Sequence, residues 1–350
     1  MDGMLPPILV FLLSNLLFGA VLASFLLRRL GSEAIGPVGT VLLGFGLAPF
    51  TISWVLNLVL LLLPGQSHAM AISAVLIAFV ALAVAAGTGW RSLSAVLRSS
   101  IPSLARPSLW PFLFFTGAML FGTALMIAYK PLVDHDILEY GTQGKRFLRD
   151  MAVRYERHHY DASTGFYYVG LHGFSFPLFF TWEGLLRGLM NDHGDAWVRL
   201  QTPWTAWLTV SFIWAWVRRW GHWLAVWVAG AFTLTLGFLY LNTIYHVDPV
   251  RLFLFSASMV LFIAVLRQPE KQVLLLWGAV MGAHALTHSL GMILSPFMLL
   301  CFFLCAGGSL GERLRWSLLA TGPFLVAGGF HYLLDMTIGT GWLLKDITWF

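Results

Sequence analysis

The chain has 350 residues, of which 58% are hydrophobic and only 11% are charged, and its formal net charge is +5. An average soluble domain carries about 25% charged residues, so this chain has too few charges to cover a water-exposed surface. The composition excludes a soluble enzyme, a disordered chain and a nucleic-acid binder, and it indicates an all-α polytopic membrane protein.

The first part of the chain contains three long apolar runs. A membrane-spanning helix needs about 20 apolar residues. Leu5–Leu27 is uncharged and ends at a pair of arginines, and Ala34–Trp90 has no charged residue and is long enough for two spans. A break at Pro64–His68 divides that second run. Residues 1–106 therefore predict three N-terminal transmembrane helices.

The rest of the chain predicts a core of further spans, which brings the expected total to about ten. Gln272–Gly311 is long enough for two short helices, and the other runs predict one each. The runs after residue 106 are Pro107–Tyr129, Leu200–Val217, Trp223–Leu241, Pro249–Leu266, Gln272–Gly311 and Trp316–Leu334.

Basic clusters between the spans predict the orientation, because Lys and Arg concentrate in cytoplasmic loops. All of these clusters fall on the cytoplasmic side if Leu5–Leu27 runs from outside to inside and His172–Leu189 lies at the outer surface without crossing. The chain is then expected in a bacterial inner membrane, with residues 130–170 facing the periplasm. The clusters are Arg28-Arg29, Arg91 with Arg98 and Arg106, Arg218-Arg219, Arg267 with Lys271, and Arg313 with Arg315.

Residues 130–161 hold twelve of the 37 charged residues, although they form less than a tenth of the chain. Apolar residues recur there at roughly helical spacing beside Lys145 and Arg146. This pattern predicts an amphipathic helix lying in the membrane interface. Its start contains Asp134-His135-Asp136.

An Asp-x-Asp pair at a membrane surface has two chemical uses. One carboxylate can be the general base toward a hydroxyl, or the pair can bind a divalent cation such as Mg²⁺ or Mn²⁺ through Asp134 and Asp136. A purely structural reading stays open, because acidic residues also stabilise the positive end of a helix dipole.

Cationic and imidazole side chains are predicted on the same outer side. Carboxylates beside such groups fit a reaction that attacks at one point and releases a phosphate at another, since arginine binds phosphate oxygens bidentately. Alternatively, these residues contact lipid headgroups at the membrane interface. Candidate phosphate or lipid ligands are Lys145, Arg146, His172, His246, Arg251, His284 and His288.

Two pairs of residues are spaced by four. His284 and His288 are expected to share one face of a helix, where they either contact a lipid phosphate or hold neighbouring helices together. Glu183 and Arg187 are expected to form an ion pair on a helix surface.

Four short motifs, in their order along the chain, resemble the GT-C superfamily of polyprenyl-phosphate-dependent glycosyltransferases. Within that superfamily, the resemblance is to the branch of the protein mannosyltransferases and aminoarabinose transferases. The resemblance covers about residues 107–345. The motifs are the acidic Asp134–Tyr140, the aromatic Tyr167–Phe180 with Pro177, the span bounded by Arg199-Leu200 and Arg218-Arg219-Trp-Gly, and Gly282–Gly291 with its two histidines.

The resemblance implies a GT-C-like core over residues 107–350, with extracytoplasmic juxtamembrane helices and a catalytic loop at about 130–170. It also implies inverting transfer of a sugar from a polyprenyl-phosphate donor to an acceptor hydroxyl of a lipid, glycan or protein. The catalytic base is then Asp136 first and Asp134 second, with Glu139 in the same motif.

Two other functions stay open. A transporter or flippase of lipid-linked or polar substrates usually carries charged or broken helices at the membrane midplane. A non-catalytic membrane subunit of a complex would tolerate the loss of Asp134 and Asp136.

Overall fold

The computed structural model describes most of the helical part of the chain. The described residues are 9–30, 34–104, 116–122, 135–153, 159–161, 166–168, 173–189, 200–235, 237 and 246–338. Asp134 and His172 lie outside this set, as does most of the predicted span Pro107–Tyr129.

Apart from turns and short loops, the described part is helical except for one short hairpin. Strands β1 (His159–Asp161) and β2 (Phe166–Tyr168) pair antiparallel, with Tyr160 opposite Tyr167. The helices are α1 (Phe18–Arg29, preceded by a π-helical segment Leu12–Leu17), α2 (Pro37–Leu62), α3 (His68–Ala86), α4 (Gly89–Leu104), α5 (His135–Asp150), α6 (Ser175–Gly188), α7 (Gln201–Val217), α8 (His222–Leu234), α9 (Asp248–Arg267), α10 (Lys271–Thr287), α11 (Ser289–Cys305), α12 (Leu310–Phe324, followed by a π-helical segment Leu325–Gly329) and α13 (Phe330–Ile338).

Helix length and composition support a membrane protein. Five helices of the described part are long and apolar enough to cross a membrane, and α8 and α11 are shorter apolar helices. The total of about ten spans stays a prediction. The five are Leu9–Arg29, Pro37–Leu62, His68–Ala86, Asp248–Arg267 and Leu310–Thr337.

The predicted break at Pro64–His68 is confirmed, and the sequence explains it. α2 ends at Leu62, Gly65 has a φ of +78°, and the side chain of Ser67 accepts a hydrogen bond from the backbone N–H of Met70. Glycine tolerates that φ, and a serine cap pairs one of the free N–H groups at a helix start. A second long helix, α3, follows directly.

Small residues let α10 lie close to α12 and to the π-helical segment after it. A side chain on Gly278 would collide with the carbonyl of Ala320, and one on Gly282 would collide with Phe324 and Ala327. The contacts advance in the same direction on both helices, so α10 and α12 run parallel. Close backbone approach at small residues is a common way for membrane helices to associate.

Backbone contacts bring the basic clusters to one end of the helix bundle. The guanidinium of Arg28 donates to the carbonyl of Ala85 at the end of α3, and that of Arg219 donates to the carbonyl of Ala34. α9 and α10 meet at the same end, beside Arg267. This clustering agrees with the pattern on which the predicted orientation depends.

The opposite end carries α5 and α6. The N–H of Gly65, in the turn after α2, donates to the carbonyl of Met151, which directly follows α5. Gly173, just before α6, lies against Leu286 and Thr287 at the end of α10. The helix that opens with the acidic motif therefore lies at the end of the bundle away from the basic clusters.

α6 lies within the segment His172–Leu189, which is predicted at the outer membrane surface, and it is buried within the protein. Twelve of its fourteen residues are buried, and Ser53 of α2 donates to the carbonyl of Ser175 while Trp182 donates to Ser14. With fourteen residues it is shorter than a span needs. This length agrees with a segment that does not cross, and its position relative to the membrane surface stays a prediction.

Candidate functional site

A cavity of about 310 Å³ lies where the start of α9 meets the α10–α11 junction. One wall is polar and the remainder is apolar. The lining residues are Asp248, Arg251, Leu252, Phe255, His284, Leu290 and Leu294.

The first turn of α9 provides the charged wall. Pro249 occupies an early helical position, where its missing N–H costs nothing, and Asp248 lies at the positive end of the helix dipole. Nη2 of Arg251, three residues later, donates to Oδ1 of Asp248 across 2.6 Å. The short distance is typical of a charge-assisted hydrogen bond.

His246 supports the same carboxylate from the preceding loop. Its Nδ1 accepts a hydrogen bond from the backbone N–H of Asp248 at 3.2 Å, and the same nitrogen lies 3.4 Å from Oδ2. Through these contacts the imidazole holds the loop directly before α9 in place.

His284 provides the opposite wall from α10. Only 2% of this residue is exposed, and Nε2 has no hydrogen-bond partner among the described residues. Its ring centroid lies 6.3 Å from that of Phe255, and the charge of Arg251 acts on the imidazole. A buried polar atom without a partner costs about 1 to 3 kcal/mol, which a ligand that pairs with it would recover.

His288 does not share a helix face with His284, contrary to the expectation from their spacing. α10 ends at Thr287, and His288 has extended backbone angles and caps α11, where its Nδ1 accepts from the N–H of Leu290. The two short helices expected within Gln272–Gly311 are confirmed, and their junction is the reason that the pair separates.

Lys145 and Arg146 lie on α5, which packs against α6. The ring of Tyr140 meets that of Phe176 edge-on at 5.5 Å, and Gly144 lies against Phe180. Nε of Arg146 is 3.8 Å from Asp150, and Lys145 is exposed. Neither residue is among those that line the cavity beside Arg251.

The acidic motif is described only in part. α5 begins at His135, so the expected helix after the motif is confirmed, and Asp136 and Glu139 fall in its first two turns. Their side chains, Asp134 and His172 lie outside the described set. Among the described residues no three His, Cys, Asp or Glu side chains come together as a metal site. The proposed Mg²⁺ or Mn²⁺ role of Asp134 and Asp136 stays a prediction.

Glu183 and Arg187 are buried, and the expectation of a surface ion pair is wrong. Their exposed fractions are 2% and 3%, and Oε2 of Glu183 has no hydrogen-bond partner in the described part of the chain. Burial raises the pKa of Glu183 from 4.5 to about 8, and the charge of Arg187 only partly opposes this. The spacing of four residues predicts that the two side chains lie on one face of α6, but it does not show whether other helices cover that face.

The comparisons with known proteins provide no relative. The chain matches no protein-family model, no curated protein and no solved structure.

Proposed function

We propose that this protein is a membrane glycosyltransferase of the GT-C type. It transfers a sugar from a polyprenyl-phosphate donor to an acceptor hydroxyl on the extracytoplasmic side. The observation that carries the proposal is the cavity at the start of α9, because it joins a fixed arginine, a buried imidazole and an apolar wall in one space.

A lipid phosphate matches each part of that cavity. Arginine has five N–H donors, and Asp248 occupies one nitrogen of Arg251, so the other donors are available to phosphate oxygens. Nε2 of His284, when it carries the proton, donates to the same phosphate. The first carbons of the prenyl chain then lie against Leu252, Leu290 and Leu294, which belong to the apolar wall.

The chemical step follows from these roles. The acceptor hydroxyl attacks the anomeric carbon as Asp136 takes its proton, and the bond between that carbon and the phosphate oxygen breaks. The leaving polyprenyl phosphate gains a negative charge, which Arg251 stabilises, and attack from the opposite side inverts the anomeric configuration. Asp136 belongs to α5, at the end of the bundle where α6 and the end of α10 also lie.

The test is sugar transfer by the purified full-length protein with a polyprenyl-phosphate-linked sugar, read as release of polyprenyl phosphate. Arg251→Gln should reduce transfer at least tenfold, since a charge-assisted contact contributes about 1.5 to 3 kcal/mol. Asp136→Asn keeps the shape and removes the base, so transfer should fall by about 10² to 10⁴.

Arg315→Gln is the matched control, because this arginine is exposed near the start of α12, at the end of the bundle away from the cavity. Its transfer rate should equal that of the unmodified protein. If Arg251→Gln and Asp136→Asn also keep that rate, the proposal is wrong.

The buried Glu183–Arg187 pair favours a second candidate, a transporter or flippase. Ionisable residues buried within a membrane protein are often part of a substrate or proton pathway. Translocation of a labelled lipid-linked sugar by the protein in sealed vesicles, without hydrolysis or transfer, would support this alternative, and Glu183→Gln should then abolish it.

A further inference from the structure

A second cavity, of about 180 Å³, lies at the opposite end of α9 from the proposed donor site. α9 has 20 residues and, at a rise of 1.5 Å per residue, is about 30 Å long, close to the hydrocarbon thickness of a bilayer, and the two cavities lie beside its opposite ends. The second cavity is lined by Ala34, Trp216, Arg219, Ile263, Ala264, Arg267, Gln268, Glu270 and Val273.

Two arginines line this cavity, Arg219 in the turn after α7 and Arg267 at the end of α9. Both terminal nitrogens of Arg219 donate to the carbonyl of Ala34 at 3.1 Å, so the guanidinium is held in place. The guanidinium of Arg267 lies 6.0 Å from the ring centroid of Trp220. In the described part of the chain, no hydrogen bond or ion pair is found for Arg267.

The two positive charges are close enough to affect each other. Partial burial and the charge of Arg267 both lower the pKa of Arg219. Like charges held together are unfavourable unless an anion lies between them. Glu270 is the one carboxylate among the residues that line the cavity, so these residues carry a net positive charge.

Most of the remaining lining residues are apolar, and Gln268 is the polar one among them. Trp216, Ile263, Ala264 and Val273 line the cavity together with the arginines. A site that combines two cations with apolar residues fits a phosphate that carries an acyl chain. Because arginine binds phosphate oxygens through a planar fork, two such residues suit one phosphate group.

We propose that the cavity between Arg219 and Arg267 binds a phosphate group of the kind that an anionic phospholipid presents at the membrane surface. This site is separate from the proposed donor site and does not depend on the glycosyltransferase function. It assigns the basic clusters of this end a binding role beyond their effect on orientation.

The experiment measures phosphatidylglycerol binding to the purified full-length protein by native mass spectrometry, with phosphatidylcholine as the uncharged comparison. Arg267→Gln is the decisive variant, because Arg219 also holds Ala34 and its loss can disturb the fold. One arginine near a lipid surface contributes about 1 kcal/mol, so Arg267→Gln should weaken phosphatidylglycerol binding about fivefold. Phosphatidylcholine binding should not change.

Arg315→Gln removes an equal charge near the same end of the bundle outside the cavity, and it should bind phosphatidylglycerol as the unmodified protein does. Inorganic phosphate is the second probe. Phosphate that binds without lipid and is lost in Arg267→Gln would support the same site with a free anion as its source. Equal phosphatidylglycerol affinity in Arg267→Gln and Arg315→Gln, whether both weaken or neither does, would overturn the proposal.

Discussion

The buried carboxyl of Glu183 should make the stability of this protein depend on pH in a defined direction. Its pKa is about 8 in the folded protein, against 4.5 as the ordinary value. Below pH 4.5 the group is protonated in both the folded and the unfolded protein, and it has no effect on their balance. Between pH 4.5 and pH 8 the folded protein keeps a proton that the unfolded protein has lost, so stability falls as the pH rises.

The magnitude follows from the same two pKa values. Each pH unit in that window costs about 1.36 kcal/mol, so the change from pH 5 to pH 7 costs about 2.5 kcal/mol. For a chain of 350 residues, this corresponds to a decrease in Tm of about 3 °C. Above pH 8 both forms are ionised, and the difference becomes constant.

Glu183→Gln removes the titration and keeps the shape of the side chain. Thermal unfolding in detergent should give nearly equal Tm values for the variant and the unmodified protein at pH 5, and a higher Tm for the variant at pH 7. All other groups titrate in both proteins, so the difference isolates Glu183. The exposed Glu270 provides the control, and Glu270→Gln should follow the unmodified protein throughout. Parallel pH profiles for Glu183→Gln and the unmodified protein would refute the burial argument.

Three further predictions concern the helices and their orientation. His288→Ala should lower the free energy of unfolding by about 1 kcal/mol in a denaturant titration, because the backbone N–H of Leu290 loses its hydrogen-bond acceptor. An unchanged free energy of unfolding would show that water replaces the imidazole. Gly282→Leu should reduce the yield of monodisperse protein in size-exclusion chromatography, because the new side chain collides with Phe324 and Ala327. Gly311→Leu is the control, since Gly311 has open space around it, and it should keep the yield of the unmodified protein. Equal yields for the two variants would contradict the close packing of α10. With Cys301 and Cys305 replaced by Ser, an impermeant thiol reagent should label Lys145→Cys in intact cells and Arg315→Cys only after lysis, and the reverse pattern would overturn the orientation.

Much of the helical framework follows from the sequence by simple rules. Uncharged runs bounded by arginine pairs, Pro64-Gly65 or Pro249 locate α1, α2, α3 and α9, because a helix must end where proline or glycine interrupts it and where charge meets the membrane surface. The hairpin of β1 and β2 has no such signal, since each strand has only three residues.

The candidate site could be predicted only in part. Their chemistry marks Arg251, His246 and His284 as candidates in the sequence. In the structure Arg251 and His284 line one cavity, and His246 and Arg251 lie beside the carboxylate of Asp248. Asp248 fixes that guanidinium, and its only sequence signal is its position three residues before Arg251. The apolar partners Leu290 and Leu294 were missed because apolar residues are common in this chain, and nothing marks those that face a ligand.

Two errors have the same physical origin. Spacing by four gives the position of a side chain around its own helix, but it does not give what packs on that side. Glu183 and Arg187 were therefore expected on a surface although α6 is covered by other helices. For His284 and His288 the helix ends between the two residues, so their spacing no longer defines a shared face.

The measurement that tests the central claim most directly is photo-crosslinking of a polyprenyl-phosphate analogue whose reactive group lies next to the phosphate. Mass spectrometry of the labelled protein should find the label on Leu252, Phe255, Leu290 or Leu294, and Arg251→Gln should reduce it while Arg315→Gln leaves it unchanged. Labelling confined to other helices, or equal labelling in Arg251→Gln, would contradict the proposal that this cavity holds the donor phosphate.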